Sequence, residues 1–530
     1  MRDKKKLKLK KFHLHPVTTF ILLTGFVMVL SFILSIFQVQ ATYNRLNLTT
    51  YELDKTLVAV ENLFNYDGIK SLIGESARNF VSFTTLSTLL IALIGLGVAQ
   101  ATGFFDTFIK RVLVKINNQK ITFILLLVAT VSSLINEIGY VVLIPLAAII
   151  FRENNRNPLA GIITAFTGVA FGYGVTLFVG SMEANLIPIT EASARLIDVN
   201  YHVPLTSNLF IIIATSIILS IVGTIIIEKF VVPKLGRYRD TEGQTEEIEE
   251  IIDEEELEQR KLEEDVRERK GLKNALIATI FFIVFFIYSL LPNLPFSGML
   301  LDMEAPTYLA QVFGENSYFQ DGFTFLISLY FIIVGIAYGK GAKTIKNDKE
   351  LITETSKYLS EIGSLIILIF FASQFIAIFR KTNIATVITA YAANIISSAE
   401  FTGLPLVLLV VVIIGLINLI AATPLAKWTI LAPAVVPKLM QSNISPEFAQ
   451  FLLRAGDSMT KGLTPLLPYF VILIGYLNMY NPNKKKPITV GRALKLMLPY
   501  CLIISFTWIV IAILWYLTGL PLGPSRFPTL

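Results

Sequence analysis

Apolar runs long enough to cross a lipid bilayer recur along the whole chain, and they restrict its fold more than any other feature. A spanning helix needs about 20 mostly apolar residues and satisfies its backbone hydrogen bonds internally. The 530 residues are 54% hydrophobic and 16% charged, which is more apolar surface than a water-soluble core can bury. The sequence therefore predicts an all-α polytopic membrane protein.

Uniformly apolar runs of ordinary transmembrane length are the first class of predicted span. They lie at 17–39, 81–102, 206–233, 274–293, 321–340, 360–380 and 494–518. The first of them follows a basic tail, but it is too long for a signal-peptide core and lacks a small-residue cleavage site. We expect it to be a retained helix.

Four longer or interrupted apolar regions form a second class. Regions 119–151 and 403–440 are too long for one span and have an interior break, which predicts two re-entrant helical hairpins. Regions 158–180 and 446–478 are interrupted near their middles by Gly or Pro, which predicts two broken spanning helices. The prediction is about nine transmembrane helices plus two hairpins.

The order span, hairpin, broken helix, span occurs twice, at 81–235 and 359–520. A short motif supports a repeat, because Gly139–Pro145 and Lys427–Pro433 share an aromatic second residue and a proline seventh residue. The two halves begin an odd number of crossings apart, so we expect an inverted repeat, as in alternating-access transporters. The other predicted segments are a basic cytoplasmic tail 1–16, a first helix with an outer loop 17–80, a charged cytoplasmic loop 236–273, two scaffold spans 274–358 and a C-terminal tail 521–530.

The positions of the basic residues predict the orientation. Most of the 45 Lys and Arg lie in the N-terminal tail and in alternate loops, whereas 293–321 has none. Cytoplasmic loops carry such an excess, so we expect a bacterial inner-membrane protein with a cytoplasmic N-terminus and lipid as its surroundings. The basic residues border helices without aromatic platforms, which argues against a nucleic-acid partner. The mixed-charge stretch 240–270 is expected to be a solvated helix or a flexible insert.

The densest set of ionisable residues inside an apolar region runs from Arg454 to Pro468. Such residues are costly in a membrane and are therefore functional candidates. Arg454 and Asp457 are three residues apart on a helix and are expected to pair, while Asp457 and Ser458 offer oxygen ligands for a small cation. The alternative is an ion network of Arg454, Asp457 and Lys461 that only holds the fold together.

Five motifs along most of the chain resemble the p-aminobenzoyl-glutamate transporter (AbgT) family of the ion transporter superfamily. They are His15–Thr18, Leu93–Ala99, Gly139–Ala148, Ala426–Pro433 and Arg454–Ser458 with Thr464–Tyr469. The resemblance implies a homodimer with a water-filled bowl facing the cytoplasm. It also implies transport of p-aminobenzoyl-glutamate, or export of sulfonamide-type antimetabolites, driven by a gradient of Na⁺ or H⁺ and without another cofactor.

The resemblance also implies roles for individual residues. Asp457 and Asn418 match the family's cation site, with Ser458 beside it, so a sodium ion at Asn418 and Asp457 is one expectation. Trp428 and Pro465 match substrate-site residues. Glu183 matches an acidic residue after the first broken helix, and a second acidic position, Glu137, is expected to join the charge network of Arg454.

Three departures from the family pattern alter these expectations. Thr423-Pro424-Leu425 replaces a serine-containing run at the second hairpin tip, and Thr176 stands where the family has Asn at the first helix break. The first change is expected to remove a hydroxyl contact to the substrate, while Thr423 and Thr176 are the expected substrate-site residues at these two places.

Lys461 replaces an Asn four residues after the motif aspartate, and this departure bears on the coupling ion. One hypothesis is that its ammonium takes the place of sodium beside Asp457, so that coupling uses protons or no cation at this site. In the alternative, Lys461 turns away and its stem carries the charge to the cytoplasmic surface.

Other functional classes fit the sequence less well. A transporter of another small anion, such as a dicarboxylate, amino acid or peptide, is the closest alternative. An intramembrane enzyme is disfavoured because the three histidines lie in predicted loops or tails. A channel is disfavoured because the chain has broken helices without a ring of repeated charges. The single cysteine, Cys501, lies in the last span and is expected to serve packing.

Overall fold

The N-terminal part of the protein combines a spanning helix with a small antiparallel sheet. The computed structural model describes residues 14–47, 52–113, 116–134, 137–236, 254–314 and 316–530; the basic tail up to residue 13 and the loop 237–253 lie outside the described residues. The first elements are α1 (Pro16–Ile36), β1 (Gln40–Leu46), β2 (Leu53–Ala59), α2 (Tyr66–Gly74) and α3 (Ser76–Val81). The β1–β2 pair lies in the predicted outer loop and departs from the all-α prediction.

The region predicted as the first repeat folds into helices separated by short breaks. They are α4 (Thr84–Ala101), α5 (Phe104–Phe108) with a π-helical turn (Ile109–Leu113), α6 (Asn118–Val131) with a 3-10 turn (Ser132–Leu134), α7 (Gly139–Glu153), α8 (Pro158–Phe171), α9 (Ser181–Ala194), α10 (Leu209–Ile226) with a π-helical turn (Ile227–Val231), and α11 (Val232–Leu235). The broken helix α8–α9 thus extends to Ala194, beyond the 158–180 that apolarity predicts. Apolarity does not predict its second half because that half contains polar residues, among them Glu183 in its first turn.

The middle of the chain contains α12 (Glu254–Leu290), α13 (Tyr308–Phe313), α14 (Tyr318–Ala342) and α15 (Asp348–Ser360). Helix α12 runs unbroken from the charged loop into the predicted span, so the described part of that loop is helical. It is anchored where Arg111 forms ion pairs of 2.6 Å with both Asp265 and Glu268.

The region predicted as the second repeat has the same order of elements. It contains α16 (Gly363–Lys381), α17 (Ile384–Ser397), α18 (Gly403–Asn418), α19 (Pro424–Met440), α20 (Pro446–Thr460) with a 3-10 turn (Lys461–Leu463), α21 (Phe470–Met479) and α22 (Val490–Thr518). Both broken helices begin with a capping side chain followed by proline. Asn157 precedes Pro158 and Ser445 precedes Pro446, which is a favourable helix start because proline needs no hydrogen-bond acceptor there.

Seven helices in the described part of the chain are long and apolar enough to cross a membrane. They coincide with the seven uniform runs predicted from the sequence, which confirms a multi-pass membrane protein. The helices of the two predicted hairpins are shorter. They have 14, 15, 16 and 17 residues, fewer than the about 20 needed for a crossing.

Burial separates the helices that carry breaks from those that do not. Every residue of α8 is buried, and so is α20 from Pro446 to Met459. By contrast, α12 exposes large apolar side chains such as Phe281 and Val284. Irregular backbone is tolerated at membrane depth only when protein surrounds it, so the breaks lie where their unpaired backbone groups can find partners.

Candidate functional site

Each hairpin tip lies against the break of the broken helix that follows it. At the first tip, the Ser133 hydroxyl donates to the Val175 carbonyl at 3.0 Å. At the second tip, the Thr464 hydroxyl donates to the Leu419 carbonyl at 2.7 Å. Hydroxyl groups therefore satisfy carbonyls that the interrupted helices leave free.

The two helix breaks are also joined to each other. The Gly174 amide donates to the Ser458 hydroxyl at 2.9 Å. A Cβ atom at position 174 would lie 2.8 Å from both the Cβ and the backbone oxygen of Arg454. Glycine is therefore required here by the close approach of α20. Two hairpin tips and two breaks thus meet in one place.

Arg454 pairs with Glu183, not with Asp457. Its Nη1 lies 2.5 Å from Glu183 Oε1, and both side chains are buried. The expected Arg454–Asp457 pair is wrong because Arg454 points across to the first break, where the Gly174 carbonyl accepts a second hydrogen bond from Nη1 at 3.4 Å. Glu183 in turn accepts from the Gly180 amide at 2.7 Å, which caps α9.

Asp457 is bound by two lysines. Its Oδ1 accepts a hydrogen bond from Lys427 Nζ, and its Oδ2 lies 3.5 Å from Lys461 Nζ. Lys427 Nζ also donates to Asn418 Oδ1 at 2.6 Å, and the Asn418 amide donates to the Asp457 carbonyl at 2.5 Å. The predicted partners Asp457 and Asn418 are therefore together, with a lysine ammonium between their side-chain oxygens.

Lys427 is the residue that the sequence analysis missed. It is 1% exposed on α19, inside a hairpin that is otherwise mostly apolar. A charged side chain within an apolar run is itself a signal of function in a membrane. Lys427 is part of both the repeat motif and the family motif, and its charge within the apolar run is the signal that identifies it.

Lys461 is completely buried, so the alternative in which it reaches the cytoplasmic surface is wrong. Its Nζ lies 3.4 Å from the centre of the Tyr173 ring and 3.5 Å from Glu137 Oε1, and it donates to the Ala422 carbonyl at 3.3 Å. Glu137, Asp457, Lys427 and Lys461 thus form a cluster of two carboxylates and two ammonium groups. We call it the charge cluster.

The expected substrate contacts are not all exposed in this conformation. Trp428 has no exposed surface, and its indole donates to the Thr190 hydroxyl at 2.9 Å. The Thr176 hydroxyl donates to the Phe178 carbonyl within the first break. Pro465 is half-buried in the second break. The substrate roles of these residues stay predictions.

A cavity of about 470 Å³ lies where the second hairpin tip meets the second break, and we call it the tip cavity. Helices α16 and α17 form its other walls. Its polar lining includes Thr423, one of the expected substrate contacts. Its lining includes Phe379, Arg380, Thr386, Thr423, Lys427 and Pro468.

Comparison with known proteins identifies relatives along nearly the whole chain. The profile of the AbgT transporter family matches residues 11–530. The p-aminobenzoyl-glutamate transport protein of Escherichia coli (strain K12) is 29% identical over 516 residues, which are 97% of this chain and 94% of that protein.

Two solved structures are also similar to the chain. The YdaH transporter of Alcanivorax borkumensis is 29% identical, with 96% of this chain and all of that chain covered and a TM-score of 0.47. MtrF of Neisseria gonorrhoeae, described as illuminating a class of antimetabolite efflux pumps, is 30% identical, with 97% and 98% covered and a TM-score of 0.48.

Proposed function

The chain belongs to the AbgT family of transporters, and on that premise we propose that it moves p-aminobenzoyl-glutamate, or exports sulfonamide-type antimetabolites, by coupling to an ion gradient. The family and the relatives are transporters, not enzymes. The observation that carries the proposal is the meeting of two hairpin tips and two helix breaks around the charge cluster. Broken helices around charged groups are where secondary transporters bind substrates and ions.

The proposed coupling ion is the proton. The two lysines already supply positive charge to both carboxylate oxygens of Asp457. A sodium ion beside Asp457 would lie close to Lys461 Nζ, which is 3.5 Å from Asp457 Oδ2, and like charges at about 4 Å repel strongly in a low-dielectric site. A proton can pass between a carboxylate and an ammonium group that are already present in the charge cluster. Proton coupling therefore needs no additional bound cation.

Flux into proteoliposomes tests the coupling ion. The purified protein is reconstituted, and uptake of radiolabelled p-aminobenzoyl-glutamate is followed under an imposed pH gradient or an imposed sodium gradient. We expect the pH gradient to drive accumulation and the sodium gradient to have no effect. Strict sodium dependence without any response to pH would contradict proton coupling.

Alternating access requires the two halves to be inserted with opposite orientation, and we include this in the proposal. The same order of elements in α4–α11 and α16–α22 supports it.

We further propose a homodimer in a bacterial inner membrane. The excess of basic residues in the N-terminal tail and alternate loops supports a cytoplasmic N-terminus, and an odd number of crossings would then put the C-terminus in the periplasm. Reporter fusions at the two termini test this topology, and crosslinking in membranes tests the dimer.

A different small anion is the second candidate substrate. It is favoured by Thr423-Pro424-Leu425 at the second hairpin tip, where the family has a serine-containing run, and by the basic residues Arg380 and Lys427 in the tip cavity. A binding screen of the purified protein with p-aminobenzoyl-glutamate, sulfonamides, dicarboxylates and amino acids separates the two candidates. Binding of dicarboxylates alone would favour the second.

A further inference from the structure

We propose that Arg380 selects for an anionic group of the substrate, and that this group binds beside Arg380 in the tip cavity. The inference rests on the proposed transport function and names the substrate chemistry of one site. It concerns a residue that the sequence motifs do not mark, because Arg380 lies at the end of a predicted span where a basic residue is ordinary.

The Arg380 side chain has no ion pair or hydrogen bond within the part of the chain that the structure describes. It lies in the last turn of α16, is exposed, and lines the tip cavity. Glu137, a carboxylate of the charge cluster, forms its ion pair with Lys461. The Arg380 guanidinium is therefore available to a ligand in the tip cavity. Its planar pair of donors matches a carboxylate, so an anion is the natural partner.

The other walls of the tip cavity complement an organic anion. Lys427 also lines the cavity, with its ammonium bound to Asp457 and Asn418, and Thr386 and Thr423 contribute hydroxyl groups. Phe379 and Pro468 are part of an apolar wall beside these polar groups. The volume of about 470 Å³ falls within the range of small-molecule sites. This combination fits a compound with a carboxylate at one end and an aromatic or apolar body at the other.

A second cavity lies next to this site. It has a volume of about 760 Å³, lies beside β1 and β2, and shares Ala426 and Ile430 with the tip cavity. The two cavities are therefore neighbours at α19.

The test compares two neighbouring basic residues. Arg380→Gln removes the charge from the cavity. Lys381→Gln is the matched control, because Lys381 Nζ binds Glu75 and Ser71 at 2.5 Å and does not line the cavity. Equilibrium binding is measured with the full-length protein in phosphatidylcholine nanodiscs. The ligands are p-aminobenzoyl-glutamate and the uncharged sulfonamide sulfanilamide.

We expect Arg380→Gln to weaken binding of p-aminobenzoyl-glutamate by roughly ten-fold or more, the cost of losing a hydrogen bond to a charged group. Sulfanilamide binding should not change, Arg380→Lys should be intermediate, and Lys381→Gln should match the wild type. Unchanged binding of the anion by Arg380→Gln, or equal loss of both ligands, would overturn the inference.

The lipid of the nanodisc and the choice of ligand distinguish two further outcomes of the binding measurement. If Arg380→Gln weakened binding only in nanodiscs of anionic phosphatidylglycerol and not in zwitterionic phosphatidylcholine, Arg380 would act through the anionic lipid headgroup and the inference would be wrong. If the wild type did not bind p-aminobenzoyl-glutamate, the proposed substrate would fail, and the same variants would be compared with succinate. Succinate binding that depends on Arg380 would then support the anion site independently of that substrate.

Discussion

Arg454 and Glu183 form a buried ion pair of 2.5 Å between residues 271 positions apart in the sequence. One lies on α20 and the other on α9, so the pair connects the two broken helices. Both side chains are almost inaccessible to solvent, and removal of either partner would leave an uncompensated charge in the protein interior.

Glu183→Gln should destabilise the folded protein strongly, by about 3–5 kcal/mol, because Arg454 would remain buried without its counter-ion. The double variant Glu183→Leu with Arg454→Met should regain much of this stability, since both charges are removed. Thermal unfolding in detergent measures the stability of both variants, and proteoliposome flux measures transport by the double variant. Full transport by the double variant would show that the pair only holds the fold together.

Asp457→Asn should abolish flux. The amide cannot carry a negative charge, so Lys427 and Lys461 would face each other with Glu137 as the only described carboxylate of the charge cluster. Asp348→Asn, the same change on an exposed residue of α15, is the control. Size-exclusion chromatography must show intact protein. Normal transport by Asp457→Asn would remove Asp457 from the coupling mechanism.

Lys461→Asn should introduce sodium sensitivity. The substitution removes an ammonium that lies 3.5 Å from Asp457 and supplies an amide oxygen, a ligand that sodium accepts. Flux is measured with and without a sodium gradient at constant pH. We expect stimulation by sodium in the variant and none in the wild type. A variant that stayed insensitive to sodium would show that Lys461 does not determine the coupling ion.

Gly174→Ala should separate the two helix breaks. The added methyl group would lie 2.8 Å from Arg454 and from the Ser458 hydroxyl, and overpacking of this kind costs about 1–3 kcal/mol. Gly322→Ala in α14 is the control, because no atom lies within 4 Å of its added Cβ. Melting temperature and flux are measured for both. A Gly174→Ala protein with wild-type stability and flux would contradict the close contact.

Several structural features could be predicted from the sequence because they depend on local composition. The lengths of the seven long helices follow from the number of consecutive apolar residues that a bilayer requires. The breaks near Gly174 and Gly462 follow from residues that helices do not favour. Motifs along the chain were sufficient to identify the family.

The partners of the charged side chains were decided only by the tertiary structure. Spacing along α20 predicted a bond between Arg454 and Asp457, but the packing of α20 against the first break gave Arg454 a better-placed partner in Glu183. The burial of Lys461 and the role of Lys427 depend on where the second hairpin tip lies. A sequence determines which residues favour helix and lipid, whereas the pairing of buried charges depends on distances between helices that are far apart in the chain.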